Sequence, residues 1–412
     1  MKICIIGAGS PYTPELIEEL SKMPDKLPVT EICLMDINET RLEIMHSFCL
    51  RYIKTLNFNV TITSTTNRQE AIQGCTFVNT QIRVGGNEAR IIDERTCLDL
   101  ELVGQETTGA GGFMKALRTI PVMLDIARDV EKLAPNAWII NYTNPTGLVA
   151  EAVMKNTKAK IAGLCAGGMF ARGWSSEALG CAKEDVQFNL AGLNHMNFSY
   201  NITIKGRPIS KEEFNKIAPK VGSVDAELIK ELGALPSPYL QYYYHEKNKV
   251  KEMQPKSRGE EIAEIEAELF KDFADPEITN KPESLKKRGG GGYSEIAMAV
   301  MDAIYNNKDT WIAVNTFNQN TLPFLPTDAV IEVPCIVNAA GITPLAQAPP
   351  PKATWGLISA VKNYETLAVE AAVTGCEDTA FLALLAHPLV RDYEKAKVLV
   401  KSIAHGKGEK NG

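Results

Sequence analysis

Residues 1–20 read MKICIIGAGSPYTPELIEEL, and this stretch decides the fold of the first half of the chain. The apolar run over residues 2–6 is typical of a strand covered on both faces, as in a parallel sheet. Gly7 and Gly9 then form a turn, and Pro14 stands where the first turn of a helix tolerates proline. The stretch therefore predicts a buried strand, a glycine turn and an amphipathic helix in succession.

A strand, a glycine turn and a helix N-terminus together commonly bind the pyrophosphate of a dinucleotide. Gly7 allows the tight turn, Gly9 allows the pyrophosphate to approach, and Ser10 lies in the same turn. Asp36 ends the second predicted strand, 27 residues after Gly9, and is expected to bind the ribose hydroxyls and to favour NAD over NADP. Tyr12 replaces the third glycine of the usual pattern, so a turn that serves only the backbone is the alternative.

Strand and helix patterns alternate as far as about residue 195, which predicts an α/β fold with a doubly wound parallel sheet. We expect residues 1–195 to form a Rossmann-like NAD-binding domain. Residues 198–209 (FSYNITIKGRPI) then alternate like an antiparallel hairpin, and charged helices follow. We expect residues 196–412 to form a C-terminal α+β domain that serves substrate binding and oligomerisation and closes the active site.

The composition excludes several classes of protein. A formal charge of −6 argues against nucleic acid or an anionic membrane as the main partner. No apolar run reaches the ~18 residues that cross a bilayer, and the first residues lack the pattern of a signal peptide. Nine cysteines, an odd number lying mostly in apolar runs, do not suit a disulfide framework. We therefore expect a soluble, cytoplasmic protein that acts on a small molecule.

Two residues raise the question of a metal site. Cys165 follows the last predicted parallel strand, and His195 follows another apolar run. Each by itself is more often a core residue than a ligand. Ligands of open α/β sheets bind at the carboxyl ends of strands, so the thiolate and the imidazole could share a divalent ion with substrate oxygens. From the residues alone the two interpretations are evenly balanced.

Seven motifs, in order and at matching spacing, resemble glycoside hydrolase family 4, the NAD- and Mn²⁺-dependent glycosidases. The similarity extends from the first strand to about residue 400 and is greatest to the 6-phospho-β-glucosidase branch. The motifs are GAGSPYTPELIEEL (7–20), RVGGNEARIIDE (83–94), GQETTGAGGFMKALRTIPV (104–122), NYTNPTG (141–147), GLNHMNF (192–198), PYLQYYY (238–244) and KKRGGGGYS (286–294).

The resemblance implies a chemistry outside the usual two-carboxylate scheme for glycosides. NAD⁺ would take hydride from C3 of the sugar, a base would remove the acidified C2 proton, and the aglycone would leave from C1. Water would then add and NADH would return the hydride. A divalent metal such as Mn²⁺ would act as Lewis acid on the C2 and C3 oxygens.

By resemblance, Cys165 and His195 are the metal ligands and Tyr239 is the C2 base, with Tyr242 and Tyr243 as alternatives in the same motif. The unperturbed pKa of tyrosine is about 10, so the cation must do much of the activation. Helix packing is the competing interpretation for the tyrosine cluster.

The family motifs also imply polar contacts with the ligands. Asn144 would contact cofactor and sugar, Asn194 would bind sugar hydroxyls or support the metal, and Gln105 with Glu106 would face the nicotinamide. Turn or helix capping is the alternative for all four.

Three arginines, Arg83, Arg90 and Arg288, are candidates for a substrate 6-phosphate, because a guanidinium offers a fork of donors to an oxyanion. A surface or interdomain ion pair is the alternative for each of them.

The chain departs from the β-branch at two places. Ala166 follows the candidate metal cysteine, where relatives carry a polar residue, so no proton donor for the leaving group comes from this position. Phe317 stands where the branch carries arginine, which puts a strict phosphate requirement in question and offers an aromatic face to a sugar instead.

Two other functions remain in competition. A lactate/malate-type 2-hydroxy acid dehydrogenase shares such a nucleotide domain but needs no metal, and a non-catalytic NAD-binding relative would explain the departures at Ala166 and Phe317. Family members assemble as dimers or tetramers, so we expect a homodimer or homotetramer.

Overall fold

A sheet of nine strands organises the chain in the computed structural model, which describes residues 1–288 and 292–408. The predicted glycine motif therefore lies partly outside the described residues, at 289–291. The sheet order is β13-β12-β11-β6-β5-β4-β1-β2-β3. The first six strands are β1 (Lys2–Ile6), β2 (Glu31–Met35), β3 (Thr61–Thr65), β4 (Phe77–Thr80), β5 (Trp138–Asn141) and β6 (Lys160–Gly163).

These six strands pair in parallel in the order 3-2-1-4-5-6, the order of a doubly wound dinucleotide-binding sheet. The fold prediction is confirmed. The strand order reverses between β1 and β4, which opens a crevice at their carboxyl ends. The helices of this half are α1 (Thr13–Ser21), α2 (Glu39–Thr55), α3 (Arg68–Ile72), α4 (Gly86–Asp99), α5 (Gly109–Leu133), α6 (Thr146–Asn156) and α7 (Phe170–Leu179).

The nine-stranded sheet continues into the second half of the chain. Strand β11 (Thr310–Phe317) pairs antiparallel with β6 through Asn315 and Gly163, and β12 (Val330–Asn338) and β13 (Gly341–Pro344) extend the edge. Sequence patterns indicated strands in this region but could not indicate their partner. The division at residue 195 stays a prediction about sequence units, since the sheet itself runs across it.

A smaller antiparallel sheet stands beside the main one, with β7 (Val186–Leu193) and β8 (Met196–Ile204) joined by a two-residue turn at Asn194 and His195. Strands β9 (Arg207–Pro208) and β10 (Leu235–Pro236) pair with β8. The remaining helices are α8 (Lys211–Ile217), α9 (Ala226–Leu232), α10 (Gln241–Tyr244), α11 (Glu246–Met253), α12 (Arg258–Ala274), α13 (Leu285–Arg288), α14 (Tyr293–Tyr305), α15 (Lys352–Thr374), α16 (Glu377–Ala386) and α17 (Tyr393–Gly408).

A buried ionic group ties α15 to α6 beneath the main sheet. The Lys362 ammonium lies 2.6 Å from a Glu151 carboxylate oxygen and 2.5 Å from one of Glu365, and all three side chains are at most 5% exposed. Glu151 also pairs with Lys155 at 2.9 Å. Because a buried charge without a partner is costly, loss of Lys362 would fall mainly on Glu365.

We expect Lys362→Met to lower the free energy of unfolding by about 3–5 kcal/mol, the cost of removing one partner from a buried ion pair. Urea unfolding followed by circular dichroism measures the change. Lys286→Met is the matched control, because the Lys286–Glu283 pair is 78% and 85% exposed and such pairs contribute little. Equal midpoints for the two variants would contradict the prediction.

Candidate active site

A cleft of about 1180 Å³ opens at the carboxyl ends of the parallel strands. Its walls include the turn after β1, the residues that follow β2, β4 and β5, the β7–β8 turn and parts of α11 and α12. The position agrees with the rule that ligands of doubly wound sheets bind where the strand order reverses. Most of the residues predicted from sequence to form a site lie on this cleft: Gly7, Gly9, Ser10, Asp36, Arg83, Arg90, Asn144, His195, Tyr239 and Arg288.

The glycine turn is required by close backbone approaches. Gly7 has a φ of +88°, and a Cβ there would lie 2.8 Å from the Gln81 carbonyl oxygen. A Cβ on Gly9 would lie 2.8 Å from a carboxylate oxygen of Asp36, which accepts a 2.8 Å hydrogen bond from the Gly9 backbone N–H. Backbone packing against the ends of β2 and β4 therefore requires glycine at both positions, whether or not a ligand is bound.

Asp36 is held in place by two backbone donors. Its second carboxylate oxygen accepts from the Asn38 N–H at 2.9 Å. Arg41 closes this end of the cleft: its Nε donates to the Gly9 carbonyl at 3.0 Å, and its guanidinium lies over the Phe270 ring of α12 at 4.0 Å. The ordered carboxylate suits the ribose hydroxyls expected from the sequence.

Cys165 lies two residues beyond β6 and begins a short 3-10 helix at Ala166–Met169. Its Sγ accepts a 3.3 Å hydrogen bond from the Gly167 N–H, and the side chain is buried. Burial raises the pKa of this thiol, so its thiolate form requires a nearby cation.

His195 sits in the β7–β8 turn with a φ of +63°. The sequence placed it at a strand end of the open parallel sheet; it stands instead at the tip of the smaller antiparallel sheet, which reaches the same cleft. Its Nδ1 lies 2.8 Å from the Thr107 hydroxyl, whereas its buried Nε2 has no hydrogen-bond partner among the described residues. Burial lowers the pKa of the imidazole to about 3, so the ring is neutral at physiological pH.

Tyr239 lies directly against His195. The two rings stack with centroids 3.6 Å apart and an interplanar angle of 5°. Burial raises the pKa of Tyr239, and the nearby Cys165 thiolate adds to the rise. A phenolate therefore needs a compensating positive charge in this position. Tyr242 also lines the cleft, but Tyr243 is partly buried, stacks on His387 and lies outside the described cleft lining.

One carboxylate collects three cations in the cleft. Glu106 pairs with Arg83, with Arg90 at 3.2 Å and with Lys115 at 2.6 Å. Burial opposes its ionisation, but these cations outweigh burial and lower the pKa of Glu106 well below its usual value. Burial also lowers the pKa of Lys115, to about 8.

Charge around this cleft is in positive excess. Arg90 also pairs with Glu94 at 2.8 Å, so three cations face two carboxylates. Arg288 pairs with Glu266 instead, at 2.7 Å, and its guanidinium lies 4.4 Å from the centroid of the Tyr12 ring. Each arginine thus forms the ion pair foreseen as an alternative, yet each also lines the cleft.

The two asparagines differ in how they are engaged. The Asn144 side-chain oxygen accepts from the Thr146 N–H at 3.3 Å, which is the turn alternative, and the residue also lines the cleft. The Asn194 Nδ2 is buried without a hydrogen-bond partner among the described residues, and the Asn194 amide lies close enough to lower the pKa of Cys165.

Phe317, expected near the sugar, ends strand β11 and is absent from the described lining of the cleft. Ala166 is buried and likewise absent from that lining. The expectation that Phe317 offers a stacking face to the sugar therefore finds no support in the geometry.

Sequence reasoning missed several polar side chains at the site. Lys115 lines the cleft from the apolar part of α5. A single lysine among apolar residues could have indicated a buried charge in the site. Thr107 lies within the motif at 104–122, but nothing in that motif indicated its contact with His195. Glu332 is fully buried on β12 and accepts from the Asn197 amide at 2.9 Å, and burial raises its pKa to about 8.

Within residues 1–288 and 292–408, no group of three or more His, Cys, Asp or Glu side chains is arranged to hold a metal ion. A site built on Cys165 and His195 would thus draw its other ligands from elsewhere. In the same part of the chain, no helix is long and apolar enough to cross a membrane.

Comparison with known proteins identifies the family. Residues 2–172 match the model of the family 4 glycosyl hydrolases, and residues 190–390 match the model of their C-terminal domain. A probable 6-phospho-β-glucosidase of Bacillus subtilis is 36% identical, over 97% of this chain and 95% of its own. The 6-phospho-β-glucosidase of Escherichia coli is 37% identical, over 99% and 96%.

Solved structures agree with this assignment. The 6-phospho-β-glucosidase from Thermotoga maritima, solved with NAD and glucose-6-phosphate, matches with a TM-score of 0.91 at 33% identity over 99% of both chains. Lactate dehydrogenase from Cryptosporidium parvum matches at 16% identity with a TM-score of 0.58, over 90% of this chain and 98% of that chain, which shows a shared fold alone. The dehydrogenase alternative therefore has no support beyond the fold. The chain belongs to the family 4 glycosyl hydrolases.

Proposed function

We propose that the protein is an NAD- and divalent-metal-dependent glycosidase that acts on 6-phospho-β-glucosides. The observation that carries the proposal is the stacking of Tyr239 on His195 in a cleft that begins at the Gly7–Gly9 turn. Cys165 is absent from the described cleft lining, but its thiol lies close enough to Tyr239 to raise the pKa of that residue. Its relatives in Bacillus subtilis and Escherichia coli bear the corresponding names.

The side chains fit a divalent cation. The buried Nε2 of His195 has no hydrogen-bond partner among the described residues, and Cys165 offers sulfur. Two protein ligands leave coordination positions for substrate hydroxyls, as in catalytic sites that stay open. The structure from Thermotoga maritima solved with manganese, NAD⁺ and glucose-6-phosphate has a TM-score of 0.90 at 32% identity, over 99% of this chain and 98% of that chain.

The β1–α1 unit fits NAD. Gly7 and Gly9 keep side chains out of the turn, the α1 N-terminus follows, and the Asp36 carboxylate is oriented by two backbone N–H groups. These are the parts that hold a pyrophosphate and a ribose in doubly wound sheets. An acid at Asp36 disfavours the extra phosphate of NADP.

When bound, NAD would supply reversible oxidation at C3 of the sugar, and the cation would supply Lewis acidity to the adjacent oxygens. Tyr239 then removes the C2 proton onto its phenolate oxygen. Its neutral partner His195 lies flat against the ring and fixes the position of that oxygen. Ala166 carries no proton for the leaving aglycone, so a good leaving group, a water molecule or another residue would have to serve.

A phosphate on the sugar accounts for the excess positive charge in the cleft. Arg83, Arg90 and Lys115 together exceed the charge of Glu94 and Glu106. Guanidinium forks suit phosphate oxygens. Arg288 and Arg41 share Glu266, so two cations face one carboxylate at this part of the cleft as well.

The first test uses p-nitrophenyl β-glucoside 6-phosphate, its α anomer and the unphosphorylated glycosides. We expect nitrophenol release from the phosphorylated β anomer only when NAD⁺ and Mn²⁺ are both present, and none with EDTA. Because hydride returns to the sugar, NADH should not accumulate. Release without NAD⁺, or steady NADH accumulation, would contradict the proposal.

We expect Tyr239→Phe to reduce kcat by about 10²- to 10⁴-fold, since a general base contributes that much, while phenylalanine preserves the stacking on His195. NAD⁺ binding, followed by quenching of protein fluorescence, should not change. Tyr243→Phe is the matched control, because that ring packs on His387 outside the described cleft lining. Loss of less than about tenfold in Tyr239→Phe would assign the base to another residue.

The pH dependence should follow Lys115. Because burial lowers its pKa to about 8, Lys115 loses its charge as the pH rises through 8. The free enzyme then attracts phosphate less, and kcat/KM for the phosphorylated substrate should fall above that pH. We expect Lys115→Arg to abolish this fall, whereas Lys132→Arg, on the exposed end of the same helix, should retain it. A fall that persists unchanged in Lys115→Arg would exclude Lys115 as its origin.

A further inference from the structure

We infer that Thr107 is a positioning residue that holds His195 in the tautomer protonated on Nδ1, so that Nε2 presents its lone pair to a metal ion. Thr107 belongs to the loop before α5, and the contact joins positions 88 residues apart. The inference rests on the proposed function as far as the metal is concerned. The tautomer itself is a property of the protein alone.

The direction of each hydrogen bond follows from the Gln105 side chain. Its Oε1 accepts from the backbone N–H groups of Thr107 and Thr108, both at 2.6 Å. The acceptor at this position is therefore the amide oxygen, not the amide nitrogen. The Thr107 hydroxyl oxygen lies 2.8 Å from the same Oε1. An amide oxygen has no hydrogen to give, so the Thr107 hydroxyl donates to it.

A hydroxyl has one hydrogen, and that of Thr107 is now committed. Its oxygen can only accept from His195, whose Nδ1 lies 2.8 Å away. The Nδ1 of His195 must then carry the ring hydrogen. A neutral imidazole has one N–H, so Nε2 bears a lone pair, which agrees with the lack of any hydrogen-bond partner for this buried atom among the described residues.

The position of Thr107 is imposed by backbone packing. The loop lies directly on the first turn of α5, where a Cβ on Gly111 would come within 2.5 Å of the Gln105 carbonyl oxygen. A Cβ on Gly112 would come equally close, at 2.5 Å, to the Thr107 carbonyl oxygen. The two glycines thus allow the loop to pack closely on α5. In this position the Thr107 hydroxyl contacts His195.

A hydrogen bond to a metal-ligating histidine orients the imidazole ring and determines which ring nitrogen can bind the metal. Removing partners of this kind typically weakens metal binding by about 10- to 100-fold. Thr107→Val preserves the shape of the side chain and removes the hydroxyl. Thr107→Ser keeps the hydroxyl and is the matched control.

The test begins with the metal-free protein labelled with ¹⁵N-histidine, in which long-range ¹H–¹⁵N correlations distinguish the two tautomers. His195→Gln assigns the signal. We expect only the Nδ1–H tautomer of His195 in the wild-type protein and in Thr107→Ser. In Thr107→Val, we expect the Nε2–H tautomer to be populated as well. An Nε2–H form in the wild-type protein would overturn the inference, and this readout needs neither metal nor a folded Thr107→Val variant.

Mn²⁺ binding, followed by electron paramagnetic resonance of the free ion with NAD⁺ present, is the second readout. We expect the Kd of Thr107→Val to rise about 10- to 100-fold and that of Thr107→Ser to stay near the wild-type value. Equal affinities in all three proteins would overturn the positioning role. If the wild-type protein binds no Mn²⁺ while its tautomer is as inferred, the proposed metal function fails and the hydrogen-bond assignment stands.

Discussion

The site depends on the burial of its polar side chains, which separates them from water. In a buried position the charged form of any group is disfavoured unless a partner compensates it. Among the described residues, no carboxylate forms a hydrogen bond with His195, and burial keeps its imidazole neutral. Glu106, in contrast, has three cationic partners and is ionised. Burial likewise raises the pKa values of Cys165 and Tyr239. The ionised form of each therefore needs a nearby cation.

The site residues come from chain segments that only the tertiary fold unites. Cys165 follows a parallel strand, His195 occupies an antiparallel hairpin, and Tyr239 lies in a short 3-10 helix after β10. Two sheets of different type therefore contribute to one cleft. The β7–β8 turn of the smaller sheet places the His195 imidazole in the crevice at the carboxyl ends of the parallel strands.

Sequence patterns predicted well wherever the cause of a structure is local. The strand, glycine turn and helix of residues 1–20 were recognised because each depends on neighbours along the chain. Strands β11 and β12 were recognised as strands, but the pairing of β11 with β6 was not, because periodicity indicates which face of a strand is buried and not which element covers it. The expectations for Phe317 at the sugar and for Tyr243 as a base depended on where side chains point, and the described cleft lining includes neither.

The sequence by itself determined the doubly wound fold, the dinucleotide turn and, through its motifs, membership of the family. It did so because glycine turns, apolar periodicity and collinear motifs are properties of the chain. Only the tertiary structure decided that Thr107 touches His195, that Lys115 joins Arg83 and Arg90 around Glu106, and that the arginines are already paired. Those facts depend on burial and on contacts between positions up to 88 residues apart. Burial and these contacts set the protonation and charge of each group.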